Sequence, residues 1–411
     1  MSFQVLFNRS ETGSGRTAVA IILLLACLQP GAADAQEPDA FMQCVEQLGQ
    51  KAIQAGVSEQ TATQVTAGVR YSERVIELDR RQPEFTTTFA DYLNRRVNKQ
   101  RIQQGRELLQ THRELLSRVT QATGVPAPYL VAFWGLETNF GTYFGKMSVP
   151  DSLATLACDP RRSDFFTKQW VAALQIIDEG AISAEQMEGS WAGAMGHVQF
   201  MPTVFLQHAV DADGDGRRDL WNSLADAMMS AGRFLESMGW NGDYRWGREV
   251  LLPDNFDYRL SDGRRLPLDK WRELGISDAF GRPLAREDIR ASLIVPSGHR
   301  GPAFLVYQNF GVIMGWNRSE FYALAVGHLA DRIAGAGGLQ VPPPEDATAL
   351  SRQQILDLQQ ALESRGFDPG PVDGILGSGT RSAIREFQKA NNLVADGYPG
   401  IKVLRAMGIE T

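Results

Sequence analysis

The sequence predicts a mainly helical protein that carries a small strand-rich insertion and ends in a second, smaller helical unit. Three observations carry this reading. Apolar residues recur at spacings of three and four over most of the first 335 positions. Between 245 and 315 the texture changes to short apolar stretches separated by turn residues. A Gly- and then Pro-rich segment, "AGAGGLQVPPPEDATA" (334–349), reads as a linker, bounded at 336–349, and separates off residues 350–411. A chain of 411 residues also exceeds one ordinary domain of ~100–200 residues.

In chain order, residues 1–35 read as a targeting segment. Arg9 and Arg16 precede the apolar run "AVAIILLLACL" (18–28), and small residues then lead to "ADA" before Gln36. Cleavage after Ala35 releases an exported protein; the alternative is an N-terminal membrane anchor. "LLAC", ending at Cys27, partly matches a lipoprotein signal, although Leu25 fits it poorly, and lipidation at Cys27 would make the membrane a partner. With Cys27 removed, Cys44 and Cys158 remain in an oxidising compartment. They are expected to pair and staple the N-terminal helix to the large domain, against the alternative of two buried free thiols.

Val45, Leu48 and Ala52 mark the first helix, and Ser58 stands as an N-cap before the next. Residues 100–120 form one charged amphipathic helix, broken by "TGVPAPY" (123–129). The following helix runs from about Pro128 to Thr138, with Gly141 available to stop it. Further helices are predicted at 164–180, 183–189, 202–209, 223–239 and 319–333. In the insertion, "REVLLP", "RRLPL", "ASLIVPS" and "AFLVYQNF" read as strands. In the last unit, two helices and a short third stretch place Leu356, Leu358, Leu362, Ile384, Phe387 and Leu404 at the centre.

The net charge of −7 argues against nucleic acid as a partner, because phosphate binding needs a basic face. No HExxH occurs and the five histidines are scattered, so nothing points to zinc.

One stretch asks for a chemical explanation. "FWGLETNFG" (133–141) sets Glu137 four and three residues after Phe133 and Trp134, on one helical face. Aromatic walls disfavour the ionised carboxylate and raise its pKa toward the range of a general acid, whereas a bland Glu at a helix end would only bond a neighbouring loop. "GSWAGAMGHVQFMPTVF" (189–205) is dense in small residues that let a ligand approach backbone, with Ser190, Gln199 and His197 as polar candidates. Tight helix packing is the alternative there. "DADGDGRRDLWN" (211–222) resembles an EF-hand calcium loop, with Asp211, Asp213 and Asp215 at positions one, three and five. Gly216 makes the turn, Arg217 offers a carbonyl at seven and Asp219 stands at nine. Asn222 occupies position twelve where a bidentate Glu is expected, so the last ligand is sought at Asp226; a solvated acidic loop is the alternative.

Taken together, "GLETNFG", "DSLATLACDPRRSDFF" (151–166), "GSWAGAMGHVQFMP" and "NFGVIMGWNRSEFYALAVGHLADRI" (309–333) resemble the lytic murein transglycosylases of the B type, glycoside hydrolase family 103. The resemblance spans residues ~40–335 in order. It implies a lysozyme-like helical core, a periplasmic location and a peptidoglycan glycan strand as partner. It implies cleavage between N-acetylmuramic acid and N-acetylglucosamine, with Glu137 protonating the leaving oxygen. The same carboxylate then takes the proton of the muramoyl C6 hydroxyl as a 1,6-anhydro ring closes. No cofactor is required for that chemistry, and a structural calcium ion fits the family's loop. Ser190, Gln199 and Asn317 match the substrate contacts; Trp316 stands where Tyr is common, which favours sugar stacking over a hydroxyl contact. The alternatives are a muramidase using Asp151 as a second carboxylate, although "VPDS" also suits a helix N-cap, and a non-catalytic wall-binding scaffold. "LQQALESRGFDPGPVDGILGSGTRSAIREFQKANNL" (358–393) resembles the three-helix peptidoglycan-binding domain, with Lys402 where Thr is more usual.

Overall fold

The computed structural model describes residues 36–80 and 87–409. The targeting segment, its cleavage after Ala35 and the Cys27 attachment lie outside the described residues.

Helix α1 (Gln36–Gln54) buries Val45, Leu48 and Ala52 on the face their spacing predicts. Ser58 caps α2 (Glu59–Gly68) by accepting the Thr61 N–H at 3.2 Å. After α3 (Glu73–Arg80), Thr88 caps α4 (Phe89–Arg96) in the same way. The single helix predicted over 100–120 is in fact two, α5 (Lys99–Thr111) and α6 (Arg113–Thr123). His112 interrupts them with φ −104° and ψ 24°, its ring meeting Trp134 edge-on at 5.8 Å. The reason is tertiary: α5 packs on the C-terminal end of the large domain while α6 packs on a different helix, α11 (Leu224–Ser237). Gly124, at φ 71°, ends α6.

Helix α7 (Ala127–Thr138) runs through the middle and is buried on nearly every side. Strand β1 (Met147–Ser148) leads into α8 (Val149–Cys158), and α9 (Ser163–Asp178) returns along it. The helix predicted at 183–189 is absent. Residues there turn on the Ser183 carbonyl, and β2 (Glu188–Gly189) pairs antiparallel with β1, because the Met187 carbonyl is taken by the Val149 N–H at 2.9 Å. Helix α10 (Pro202–His208) follows, then α11. Cys44 and Cys158 form a disulfide that ties α1 to the end of α8 across 114 residues of chain.

The insertion is a five-stranded antiparallel sheet of order β4-β6-β7-β3-β5. Its members are β3 (Gly247–Leu251), β4 (Leu266–Pro267), β5 (Ser277–Asp278), β6 (Arg290–Ile294) and β7 (Ala303–Val306), with α12 (Leu268–Glu273) after β4. A separate core around Trp271, Leu293 and Leu305 holds it. "AFLVYQNF" is strand only in its first half; Gln308 opens α13 (Gln308–Trp316). Buried Asn309 decides this, since its amide donates to the Asn241 and Tyr244 carbonyls at 2.7 and 2.6 Å and fixes the first turn. Ser319 caps α14 (Glu320–Ile333), which packs along α7.

The last unit is α15 (Arg352–Glu363), α16 (Ser378–Ala390) and α17 (Ile401–Met407), opened by a reciprocal Ser351–Gln354 capping box. Leu358, Leu362, Ile384, Phe387 and Leu404 are its core as expected. Leu356 is only half-buried, and Ile355 takes its place, because 355, 358 and 362 share one helical face and 356 lies about 100° off it. Two buried glutamines use one device twice. Gln359 binds the Asp373 carboxylate and the Gly374 N–H, and Gln388 binds the Asp396 carboxylate and the Gly397 N–H. Each closes an Asp-Gly turn that follows its helix.

Candidate active site

Glu137 sits in the last turn of α7, where Pro126 sets the start and three successive left-handed residues end the helix: Asn139 (φ 50°), Phe140 (φ 59°) and Gly141 (φ 78°). The stop is therefore Asn139, not Gly141. Gln199 (φ 51°) is also left-handed, so three of the four non-glycine residues in this region of backbone space, among the described residues, flank the same site. Such conformations are costly and persist where surrounding structure enforces them.

The Glu137 carboxyl is held by two donors on one oxygen. Trp316 Nε1–H donates to Oε1 at 3.0 Å, and the Tyr322 hydroxyl donates to the same atom in a short hydrogen bond. Burial pushes the Glu137 pKa above the ordinary carboxylate value, while the Tyr322 hydrogen bond, the Arg96 guanidinium and the Trp316 N–H work in the opposite direction without cancelling it. Burial, and after it the neighbouring Glu137 carboxylate, push the Tyr322 phenol upward, so Tyr322 stays a donor.

Trp316 is 6% exposed and packs on Phe133, Phe200 and Phe234. Its indole is thus a wall and a hydrogen-bond donor to the acid, which corrects the expectation of an open sugar-stacking surface. Tyr322 was not singled out by sequence reasoning. The only signal is a hydroxyl-bearing ring in the first turn of α14, three residues after the Ser319 cap, ahead of the apolar face Ala323–Val326.

The small-residue segment comes against α7 as its composition suggests. Thr138 Oγ1 donates to the His197 carbonyl at 2.9 Å, and Gly145 (φ 96°) lies so close that a Cβ would fall 1.9 Å from the Gly189 carbonyl oxygen. Ser190 is buried and its hydroxyl accepts the Ala194 N–H at 3.0 Å, leaving its proton to donate. Gln199 donates to the Phe144 and Gly196 carbonyls, and its Oε1 is buried without a partner. Asn317 Nδ2 is likewise buried and unpartnered, while its Oδ1 accepts the Ser319 N–H at 3.1 Å. Buried orphan polar atoms of this kind cost free energy unless a ligand or water supplies the partner.

His197 is not a ligand candidate. Its Nδ1 accepts the Trp134 indole N–H at 3.0 Å, and burial pulls its pKa down to about 4, so it is neutral and structural. Asp151 is also committed elsewhere. Ser148, not Asp151, is the N-cap of α8; Asp151 stands in the first turn and its Oδ1 accepts the Arg70 N–H at 3.0 Å.

In the acidic loop, carboxylate oxygens of Asp211, Asp213 and Asp226 lie within 4.8 Å of one another. Asp226 is fully buried in the first turn of α11 and receives the Ala212 and Asp219 N–H groups at 2.7 and 2.8 Å, which fold the loop over it. Three converging oxygen ligands suit a hard cation such as calcium. Asp215 is outside this group; its Oδ1 accepts the Arg217 N–H. Asp219 is occupied with the Trp221 and Asn222 N–H groups.

Comparison with known proteins places these features in one family. The Transglycosylase SLT domain model matches residues 40–331, and a peptidoglycan binding domain model matches 351–407. The membrane-bound lytic murein transglycosylase B of Escherichia coli K12 is 30% identical over 249 residues, which is 59% of this chain and 66% of that protein, just under two thirds of its length. SltB3 from Pseudomonas aeruginosa, solved in complex with NAG-anhNAM-pentapeptide, is 44% identical with a TM-score of 0.87, over 90% of this chain and 99% of SltB3. The Escherichia coli lytic transglycosylase Slt35, solved in complex with calcium, is 26% identical with a TM-score of 0.60, over 71% of this chain and 92% of Slt35. With more than half of its length under one family model, the chain belongs to the lytic murein transglycosylases of the B type and carries a C-terminal peptidoglycan-binding domain.

Proposed function

We propose that this protein cleaves the β-1,4 bond between N-acetylmuramic acid and N-acetylglucosamine and leaves 1,6-anhydromuramic acid ends. The observation that carries this is one acid, Glu137, fixed through Oε1 by two neutral donors while Asp151 accepts the Arg70 backbone N–H. The raised pKa supplies a proton from Oε2 to the leaving oxygen. Once ionised, the carboxylate is stabilised by Tyr322 and Trp316, and it then accepts the C6 hydroxyl proton as that oxygen closes on C1. Ser190, Gln199 Oε1 and Asn317 Nδ2 are the groups that would orient the sugars, the last two because their own needs are unmet. SltB3 holds an anhydro-muramyl ligand, in keeping with this product. Mass spectrometry of material released from purified murein tests it: anhydro ends are expected, whereas reducing muramic acid ends would make the enzyme a muramidase.

Tyr322→Phe removes a hydrogen bond to a charged group, worth about 1.5–3 kcal/mol or roughly one to two pKa units. The pH–rate profile should move upward by that amount with a lower kcat, and Trp316→Phe should move it the same way by less.

The chain further divides, on this reading, into a signal peptide (1–35), a catalytic domain (36–335), a linker (336–349) and a wall-binding domain (350–411), with a periplasmic location. No helix among the described residues is long and apolar enough to cross a membrane. Calcium is assigned to Asp211, Asp213 and Asp226, with the Arg217 carbonyl as a further candidate ligand. Saturating calcium at about 100 times its Kd should stabilise the fold by about 2.7 kcal/mol, read as a rise in Tm. Asp213→Asn should abolish most of that rise, and an unchanged calcium response would remove the assignment.

A further inference from the structure

Two arginines stand against the end of the catalytic helix. Arg96 is the last residue of α4, Arg101 lies in the first turn of α5, and both are half-buried. Arg96 Nη1–H donates to the Leu136 carbonyl at 3.4 Å, one residue before the acid. Arg101 acts as its brace. Nη1–H donates to the Arg96 and Arg95 carbonyls at 2.7 and 3.2 Å, and Nη2–H donates to Asn139 Oδ1 at 3.2 Å. Asn139 is the left-handed residue that ends α7, and its Nδ2–H donates in turn to Thr142 Oγ1 at 2.9 Å. The end of α4, the start of α5 and the end of α7 are thus fastened together.

Taken alone, such a pair is unfavourable. Burial and the neighbouring Arg96 charge pull the Arg101 pKa below its ordinary value, and Arg101 stands at the positive end of its own helix. Among the described residues the hydrogen bonds of both guanidiniums go to carbonyl and amide oxygens, and none to a carboxylate. What offsets the cost is the group they face. The C-terminal end of α7 carries about half a negative charge, its last carbonyls lack helical partners, and Glu137 stands in its last turn. Arg96 also backs the hydroxyl donor to that acid: its guanidinium lies 5.5 Å from the centre of the Tyr92 ring, Tyr92 packs on Phe321 at 5.8 Å, and Phe321 precedes Tyr322.

The titratable and charged groups around Glu137, among the described residues, are Tyr322 from α14 and Arg96 from α4. His112 at the start of α6 and His197 in the small-residue segment face Trp134 instead, Arg101 of α5 faces Arg96, and Arg233 of α11 pairs with Glu236. We propose that Arg96 is a positioning residue for the base step, holding the last turn of α7 and giving the ionised Glu137 its countercharge. This rests on the transglycosylase reading above, in which the carboxylate must persist until it accepts the C6 hydroxyl proton. Tyr322 and Trp316 donate hydrogen bonds but bring no charge. Arg96 acts through Glu137 without touching the sugar, so it governs kcat and the pH profile and leaves KM alone.

Two substitutions separate charge from packing. Arg96→Gln keeps an N–H for the Leu136 carbonyl and removes the charge, whereas Arg96→Lys keeps the charge. The alkaline limb of kcat/KM on murein strands reports loss of the Glu137 proton. Without the countercharge the carboxylate forms less readily, so Arg96→Gln should move that limb up by about half to one pH unit. It should lower kcat about threefold to tenfold, with KM within about twofold. Arg96→Lys should restore the limb. A limb unmoved in Arg96→Gln, or moved as far in Arg96→Lys, overturns the proposal and leaves Arg96 a packing residue. Thermal unfolding supplies an arm that needs no turnover. At pH 7 Glu137→Gln removes a destabilising carboxylate, and the resulting rise in Tm should be larger in Arg96→Gln protein than in the wild type. Equal rises in the two backgrounds overturn the proposal. If the wild type releases no anhydro ends, the transglycosylase reading fails and the unfolding comparison alone decides whether Arg96 serves Glu137.

Discussion

Glu137→Gln should abolish release of anhydro-muropeptides while leaving sedimentation with intact sacculi unchanged. General acid–base catalysis contributes about 10²–10⁴-fold, and in the proposed mechanism one residue serves both proton transfers, so the loss should lie at or above the upper end of that range. Gln keeps an oxygen for the Trp316 and Tyr322 donors, so the geometry survives and only the proton is removed. Turnover within tenfold of wild type would move the acid elsewhere.

The same substitution has an opposite effect on stability. Burial raises the Glu137 pKa, so the folded state binds its proton more tightly than the unfolded chain. Stability from this group is therefore fully present below the unfolded value, near pH 4, and is lost as pH rises through the folded value. At neutral pH the wild type carries that cost and the Gln variant does not. Thermal unfolding should show a higher Tm for Glu137→Gln at pH 7, with the difference shrinking toward pH 4. A lower Tm at pH 7 would mean that the carboxylate is a net stabilising partner of Tyr322.

Removal of the disulfide should produce the largest loss of stability. Cys44 and Cys158 close a loop of 114 residues, for which chain-entropy arguments give about 4–5 kcal/mol and removal of native disulfides typically about 2–5 kcal/mol. The loss should fall first on α1 and α2, which are held to α8 and α9 by this bond and by Ser58 donating its backbone N–H to Asp178 at 3.0 Å. Hydrogen exchange of Cys44→Ser/Cys158→Ser protein should show protection lost over 36–68 before α7. Uniform loss throughout the domain would show that the bond acts on the whole fold. Activity at low temperature should persist, since Glu137, Trp316 and Tyr322 lie on α7, α13 and α14.

Much of the helical frame was legible because local signals agree with tertiary packing. Ser58 and Ser319 cap helices that begin where their residue types say they should, and Val45, Leu48 and Ala52 point inward at helical spacing. The misreadings have a common cause. Residues 183–189 have helical composition, yet the Met187 carbonyl is captured by Val149, and 308–310 look like strand until Asn309 is clamped by two distant carbonyls. The break at His112 is equally invisible in a continuous amphipathic pattern, because it answers to two different packing partners.

For the site, the sequence by itself determined that Glu137 would be an acid in an aromatic setting, that Cys44 and Cys158 could pair, and that an acidic loop could gather carboxylates. Those conclusions depend on residue type and short spacing, which a linear chain displays. Only the tertiary structure decided that Trp316 and Tyr322 share Oε1 of Glu137, that His197 and Asp151 are committed to other partners, and that Asp226 rather than Asp215 joins the acidic cluster. Hydrogen bonds reach only about 3 Å, and these partners stand up to 185 residues apart in the chain. Which donor meets which acceptor is therefore set by how helices pack, and packing is a property of the whole fold.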